Sequence, residues 1–541
     1  MEPTPKNVSD LMVDTLIQWG VRHVFGMVGH SNLGLAEAIR KRCQTGELEF
    51  VGIRHEGAAS FAASAYAKLS GVPAACLSIA GPGATNLLTG LWDAHLDRAP
   101  VIALTGQVAS GLLGIGGFQE VDLSRAFDGA ACFSQTVFRS SNHAELMNQA
   151  LRNAVQKRDV AHLIFPNDVQ ELEVDQETLP GSPRGRITEA RISPMPTDLA
   201  RAAEMFKNAR RPVIIMGHGC KQCPGLVAIF ALDWGVPVMT TFKAKGFIPD
   251  SHPLSCGVLG LSGTPIAMRT MKSADLLLVL GASFARHTRI AKDIPTIQVD
   301  LDPTALGKFQ PVTLPVWGDI RAALEGLAQS LSGIAPKEDA RQELAAQWND
   351  WRETKSKRAS RDQGKGISSA ALFEAMNRRV PANAVITTDV GDNTYSFGRY
   401  FECKHQSVLM SGMLGSIGFG YPAAIGAYCA SPDRPIVAVT GDGGFGQYMG
   451  EVTTAVKYGM PIKHILLNNS RLGKIAKEQK ADKKPIWSTS LRNPDFSQYA
   501  ELCGALGIRV ESVYRLDGAL EQAFAHNGPA LVEVLTDPDL V

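Results

Sequence analysis

The feature that most constrains this chain is a recurring short, wholly apolar segment closed by a turn residue. Ten such segments stand out: "VRHVFGMVG", "AACLSIAGPG", "PVIALTG", "HLIFPND", "PVIIMGHG", "DLLLVLGAS", "TIQVDLD", "AVITTDVG", "PIVAVTGDGG" and "KHILLNN". Their apolar residues are consecutive rather than alternating. That pattern suits strands buried on both faces, as in parallel sheets covered by helices. Most end in Gly, Asp, Asn or Pro, the residues of strand-to-helix turns. The intervening segments, such as "AASFAASAYAKLSG" and "TDLARAAEMFKNA", read as helices. The pattern predicts an α/β chain of three doubly wound parallel-sheet domains.

A chain of 541 residues exceeds what one hydrophobic core serves. Two stretches read as linkers: "DQETLPGSPRGRITEARISPMPTD", rich in Pro and charge, and "SGIAPKEDARQELAAQWNDWRETKSKRASRDQGKGIS", highly charged and partly helical. They set expected blocks of 1–175, 195–335 and 365–541. The formal net charge is +1, so there is no global basic field for nucleic acid or an anionic membrane. The start "MEPTPKNVSD" is polar and lacks a signal-peptide apolar region. No apolar run reaches the roughly 18 residues of a membrane span. A cytoplasmic protein is expected. The nine cysteines are scattered, and Cys220 and Cys223 form a CxxC with no second pair at zinc-ribbon spacing. Buried or idle thiols in a reducing cytosol are expected there, ahead of a metal or redox role.

The most specific chemistry lies in "GDGGFGQYMGEVTTAVKYGMPIKHILLNN", from Gly441 to Asn469. A strand delivers a Gly-Asp-Gly turn, a helix follows, and a second strand ends in Asn-Asn. Parallel strands place these turns on one sheet edge, where Asp442 and Asn469 offer hard oxygens of low total charge. Such a donor set suits Mg²⁺, which keeps few protein ligands and shares itself with phosphate oxygens. Gly443 and Gly444 let backbone N–H groups approach a diphosphate at a helix N-terminus. Gly-Asp-Gly alone would be no more than a βαβ unit with a polar rim; the paired Asn-Asn favours a metal–diphosphate site.

This arrangement resembles the motif of the thiamin-diphosphate-dependent enzymes. The resemblance implies metal ligation by Asp442, Asn469 and the carbonyl of Arg471, with Gly441, Gly443, Gly444 and Gly473 at the cofactor. Gly391, Asp392 and Asn393, which follow the strand "AVITTDV", are expected at the cofactor too. A second segment, "IRHEGAASFAASAYAKLSG", places Glu56 at a strand-to-helix junction. Taken alone, Glu56 could simply complement a helix dipole. By resemblance it touches the aminopyrimidine ring, where a protonated ring nitrogen favours the imino tautomer that removes the C2 proton of the thiazolium. In "SGMLGSIGFGYPAAIGA", the Gly415 carbonyl and the Ile417 backbone would bond the aminopyrimidine. The Ile417 side chain would wedge between the two rings.

The resemblance covers nearly the whole chain and is nearest to the pyruvate oxidase and acetolactate synthase branch. "SIAGPGATNLLTGLWDAHLDRAPVIALTG" looks like that branch's Gly-Pro-Gly loop and following helix. "GGFQE", Gly116 to Glu120, matches its Phe-Gln-Glu loop, which puts Phe118 and Gln119 beside the reaction centre. The resemblance makes 1–175 a pyrimidine-binding domain with the catalytic Glu, 195–335 a middle domain, and 365–541 a diphosphate- and Mg-binding domain. Glu56 and the diphosphate site would come from different subunits, which implies a homodimer or homotetramer. The middle block, with "CGVLGLSGTPIA", "VLGASFARHT" and "VDLDPTALGK", sits where relatives hold FAD. Asp300 or Asp302 could bond a ribose there, or the block could be a structural layer.

Two departures bear on the chemistry. Where relatives place an apolar side chain near the substrate, this chain reads "NNSRLGKIAKEQK". Lys474 either faces the pocket and favours an anionic substrate or acceptor, or joins Lys477 on a solvated helix face. The chain stops at "TDPDLV", where quinone-linked oxidases continue with a membrane-seeking segment. The expected activity is decarboxylation of a 2-oxo acid, most directly pyruvate. Ligation to a carbonyl acceptor, of acetolactate-synthase type, is preferred to electron transfer to FAD. The rival from another class is a non-catalytic thiamin-fold subunit that binds or regulates.

"GMVGHSN" puts His30 in a turn on the same expected sheet edge as Glu56. His30 is not part of the common thiamin machinery. It is expected to bond the substrate or shuttle a proton, against a capping or packing role. Glu56→Gln should leave the cofactor bound but slow C2 deprotonation by orders of magnitude. Hydrogen–deuterium exchange at C2 measures this, and a near-normal rate removes Glu56 from the role.

Overall fold

The computed structural model describes residues 6–188, 191–334 and 337–540. Residues 1–5 of the polar start, 189–190 of the first expected linker, 335–336 of the second and 541 lie outside the described residues. The described chain forms three six-stranded sheets in which every pairing between strands is parallel.

The first sheet contains β1 (His23–Gly26), β2 (Glu49–Gly52), β3 (Ala74–Ser78), β4 (Val101–Gln107), β5 (Phe133–Thr136) and β6 (Val160–Pro166), in the order β2-β1-β3-β4-β6-β5. The second contains β7 (Pro212–Met216), β8 (Val238–Thr240), β9 (Ser255–Val258), β10 (Leu276–Leu280), β11 (Thr296–Asp300) and β12 (Leu314–Trp317), in the order β12-β11-β10-β7-β8-β9. The third contains β13 (Val385–Thr388), β14 (Ser407–Met410), β15 (Ile436–Gly441), β16 (Lys463–Asn468), β17 (Leu506–Val510) and β18 (Ala530–Leu535), in the order β14-β13-β15-β16-β18-β17. The first and third sheets therefore share one topology. The second has the 3-2-1-4-5-6 order of dinucleotide-binding sheets.

All ten apolar segments read from the sequence are strands. β3, β4, β6, β10 and β16 are buried along their whole length, as continuous apolar runs require. The second charged stretch is more than a tether. Its helix Arg341–Ala359 buries Leu344, Trp348 and Trp351, and the Trp348 indole donates to the Ser255 carbonyl at 2.7 Å.

The first and third sheets meet through equivalent helices. Glu56–Ser70 follows β2, and Gly420–Ala430 follows β14. Ala58, Ala59, Ala62 and Ala63 line the first helix, and small residues let the two backbones approach. A Cβ on Gly426 would sit 2.0 Å from the Ala62 carbonyl oxygen, so only glycine fits the crossing.

One end of this packing is a buried ionic joint. Lys68 pairs with Asp93 at 2.6 Å and Asp97 at 2.8 Å, and Lys243, following β8, reaches Asp97 at 2.7 Å. Asp97 also accepts the backbone N–H groups of Gly412 and Met413, at 2.8 and 3.1 Å. Lys68 donates to the Met410 carbonyl at 3.1 Å and lies 4.7 Å over the Phe419 ring. Segments attached to all three sheets converge on two side chains.

Burial pushes Asp97 up, but Lys68 and Lys243 outweigh it and hold the carboxyl well below the usual carboxylate range. A depressed carboxyl contributes stability above its unfolded pKa of about 3.9, lost as pH falls through the folded value. Lys68→Met should leave Asp93 without a cation and Asp97 with Lys243 alone, and destabilise the fold by about 3–5 kcal/mol at pH 7. It should also shrink the acid-side loss, and denaturant melts at pH 7 and at pH values stepped from about 4 down to about 2 measure both.

Candidate active site

The C-terminal edge of the first sheet carries four turns. After β1, Gly29 N–H donates to Asn32 Oδ1 at 2.9 Å and Asn32 Nδ2 to the Met27 carbonyl at 3.0 Å. This closed turn presents His30 exposed at its tip. After β2, His55 caps the helix by accepting Gly57 N–H at 3.0 Å, and Glu56 is its first residue. Glu56 is buried, and its Oε2 accepts from Asn86 Nδ2 at 3.0 Å. After β3, the Gly81-Pro82-Gly83 turn passes close by: a Cβ on Gly83 would lie 3.0 Å from Glu56 Oε1.

After β4, the loop with Phe118 and Gln119 folds onto the same turn. A Cβ on Gly81 would be 3.0 Å from Gln119. Gln119 takes the left-handed conformation, φ 61°, which is costly for a side chain other than Gly, Asn or Asp. Its Oε1 is buried without a hydrogen-bond partner among the described residues. Glu120 holds the loop by accepting the N–H groups of Gly114, Gly116 and Gly117. Phe118 is 85% exposed.

The third sheet brings its own turns together. β15 and β16 are neighbours, with Gly441 opposite Leu467, so the Gly441–Gly444 turn and the Asn469–Arg471 turn share one edge. Asp442 is buried, and burial pushes its carboxyl up while Asn493 and backbone N–H groups of Gly443 and Arg471 pull it back. Arg471 N–H donates to Asn469 Oδ1 at 3.1 Å. After β13, Asn393 Nδ2 donates to the Asp389 and Val439 carbonyls, at 3.0 and 3.4 Å, which ties the Gly391–Asn393 turn to β15. A Cβ on Gly473 would sit 2.2 Å from Asp392 Oδ2, so these two cofactor candidates touch. Gly415, with φ 69°, and Ile417 lie on the loop between β14 and the Gly420–Ala430 helix.

Lys474 and Lys477 lean toward the Asp392–Tyr400 helix. Lys477 pairs with Asp392 at 3.0 Å. Lys474 pairs with Glu478 and lies 5.2 Å over the Tyr395 ring, with 28% of its side chain exposed. Each lysine thus has a carboxylate partner.

Three buried carboxylates organise these turns, and the sequence reading missed all of them as site residues. Asp389 accepts Gly418 N–H at 2.9 Å, and a Cβ on Gly444 would be 2.1 Å from its Oδ2. Burial pushes its carboxyl up to about 7. Glu451 accepts the N–H groups of Arg54 and His55, both at 3.0 Å, and so fastens the start of the Glu56 helix to the third sheet. Glu533, wholly buried in β18, accepts from Asn468 Nδ2 at 2.7 Å. A polar residue ending or interrupting an apolar strand was the available signal for Asp389 and Glu533.

In the second sheet, Gly217 and Gly219 follow β7 and press on Gly281 after β10, where a Cβ on Gly217 would lie 2.1 Å from the Gly281 carbonyl oxygen. β7 and β10 are the adjacent strands at which the strand order reverses, the place where such sheets bind ligands. Asp302 is taken by Arg98 and Thr304, and Asp300 accepts Asp302 N–H at 3.0 Å. Cys220 and Cys223 are buried, Cys220 donates to the Leu280 carbonyl, and burial pushes both thiols up, away from the thiolate a metal or disulfide exchange needs.

Three family models match in chain order: the thiamine pyrophosphate enzyme N-terminal TPP binding domain over 6–126, the central domain over 199–327 and the C-terminal TPP binding domain over 389–534. The chain belongs to the thiamine pyrophosphate enzyme family, and it is a thiamin-diphosphate-dependent enzyme. A Bacillus subtilis (strain 168) protein, YdaP, whose name goes no further than thiamine pyrophosphate, is 36% identical over 98% of this chain and 92% of its own. The acetolactate synthase of Arthrospira platensis is 30% identical over 98% of this chain and 94% of its own. The acetolactate synthase isozyme 2 large subunit of Escherichia coli (strain K12) is 30% identical over 98% and 96%. Among the described residues, no helix is long and apolar enough to cross a membrane.

His30→Ala should shift substrate preference or product partitioning and leave thiamin diphosphate affinity unchanged. Competition between 2-oxo acids, alongside a cofactor titration, measures this. A change confined to melting temperature assigns His30 to the turn alone.

Proposed function

We propose that this protein is a thiamin-diphosphate- and Mg²⁺-dependent decarboxylase and carboligase of acetolactate-synthase type, with pyruvate as its first substrate. The meeting of the Asp442 and Asn469–Arg471 turns on adjacent strands carries the reading. The acetolactate synthase relatives, which this chain matches along its whole length, support it.

The residues present fit both groups. A buried carboxylate, an amide oxygen and a backbone carbonyl from Asp442, Asn469 and Arg471 are hard donors of low total charge, which suits Mg²⁺. Asp389 leaves no room for a side chain on Gly444, in the first turn of a helix whose backbone N–H groups would face a diphosphate. Gly415 and Ile417 would support the pyrimidine end. When bound, thiamin diphosphate supplies a carbon nucleophile and an electron sink for loss of CO₂.

This chain's residues hold and orient. Asn86 fixes Glu56 Oε2, which leaves Oε1 to exchange a proton with the pyrimidine nitrogen. Gln119, with an unmet buried oxygen, and exposed His30 are the polar groups offered to substrate. Phe118 supplies apolar surface at the same rim. Lys474, paired with Glu478, would act on an anionic acceptor only by exchanging that partner for it. Assembly as a homodimer or homotetramer, with Glu56 of one copy serving the diphosphate site of another, is part of this reading.

One observation favours a second reading, a flavin-dependent pyruvate oxidase. The middle sheet has the dinucleotide-binding order, with Gly217, Gly219 and Gly281 packed at its switch point. Incubation with pyruvate, with and without an aldehyde or a second 2-oxo acid, separates the readings. The main one expects acetolactate from pyruvate alone, because a second pyruvate is itself a carbonyl acceptor, and a mixed 2-hydroxy ketone or acetohydroxy acid when another acceptor is added. Acetate formed only with an artificial electron acceptor, from protein with flavin absorbance, establishes the oxidase.

A further inference from the structure

The orientation of Asp442 is set from outside the motif that carries it. Asn493, in the loop after the Gly473–Ala481 helix, donates from Nδ2 to Asp442 Oδ2 at 2.7 Å. The same Nδ2 donates to Asn468 Oδ1 at 2.9 Å. Asn468 donates from its own Nδ2 to Glu533 Oε1 at 2.7 Å. Glu533 is wholly buried in β18, where it also accepts Ser497 N–H at 3.1 Å and faces Arg509 at 3.3 Å.

The direction of this relay follows from its end. A carboxylate paired with Arg509 only accepts, so Asn468 must turn its NH₂ toward Glu533 and its oxygen toward Asn493. Asn493 must then present its NH₂, and that group is the one Asp442 meets. Asp442 Oδ2 is thereby occupied by a neutral donor. A neutral donor orients the carboxylate and leaves its full negative charge, whereas Lys or Arg in this place would cancel it. Fixing a ligand through an outer hydrogen bond is what gives a cation site its geometry.

We propose that Asn493 is a positioning residue for divalent-cation binding at Asp442, held in register by Asn468 and Glu533; this rests on the thiamin diphosphate–Mg²⁺ reading of the site. Of the four side chains in the relay, only Asp442 would touch the cation.

The test titrates Mg²⁺ into the purified full-length chain at saturating thiamin diphosphate, and repeats it with Mn²⁺ followed by electron paramagnetic resonance. Asn493→Ala should weaken cation affinity by roughly 10- to 100-fold, while Asn493→Gln, which keeps an amide donor on a longer stem, should recover part of it. Asn493→Lys should abolish binding. Affinity within about threefold of wild type in folded Asn493→Ala overturns the proposal. So does a lowered melting temperature with unchanged affinity, or the failure of all three variants to fold, since Asn493 then serves stability alone. If the wild-type chain itself binds neither Mg²⁺ nor Mn²⁺, the cofactor reading falls, and the relay with it.

Discussion

The buried joint at Lys68 and Asp97 is the constraint on which the rest of the architecture depends. A lysine and two aspartates inside a protein are costly to desolvate, and they persist only where each charge is matched. Here Lys68 faces both aspartates, and Asp97 also takes Lys243 and two backbone N–H groups from the loop after β14. The helix behind Glu56, the middle sheet and the loop with Gly415 and Ile417 are therefore fixed to one another by charge. Apolar packing alone would tolerate sliding among them; this set of directional bonds does not.

The shared strand order of the first and third sheets explains how the site divides its labour. Each sheet presents its turns at the C-terminal edge of its strands, and equivalent helices pack across Gly426. Under the proposed function the first sheet would offer Glu56, His30 and Gln119, and the third Asp442, Asn469 and the glycine turns, each completing the site of another copy. One buried carboxylate ties the turns of the two sheets together within the chain. Glu451, at the far end of the Gly-Asp-Gly helix, takes the two N–H groups just ahead of Glu56.

How much of this was legible varied with position in the sheet. The ten strands read from the sequence all lie in sheet interiors, where both faces are covered and the apolar run is continuous. Six of the eight strands missed are sheet edges: β2, β5, β9, β12, β14 and β17. "EFVG" and "FSQT" are short and half polar because one flank meets solvent, which erases the apolar signal. β18 was missed for a different reason. "ALVEVL" looks half exposed, yet Glu533 is wholly buried, because Asn468, Ser497 and Arg509 meet it from elsewhere in the chain. The Gly-Asp-Gly and Asn-Asn turns were legible because strand ends carry them and parallel pairing dictates that they meet.

The sequence by itself determined the three-sheet α/β class, the strand ends on which Asp442, Asn469 and Glu56 stand, and the glycines that clear room beside them. Those follow from local turn chemistry and the burial pattern, which short stretches of chain contain. Only the tertiary structure decided which way those side chains are held. Asp389 under Gly444, Asn86 on Glu56, Glu451 on Arg54 and His55, and the path from Glu533 through Asn468 and Asn493 to Asp442 join residues from separate turns and elements. A buried polar group is stable only where a partner reaches it, and that partner is chosen by packing, which no local pattern records.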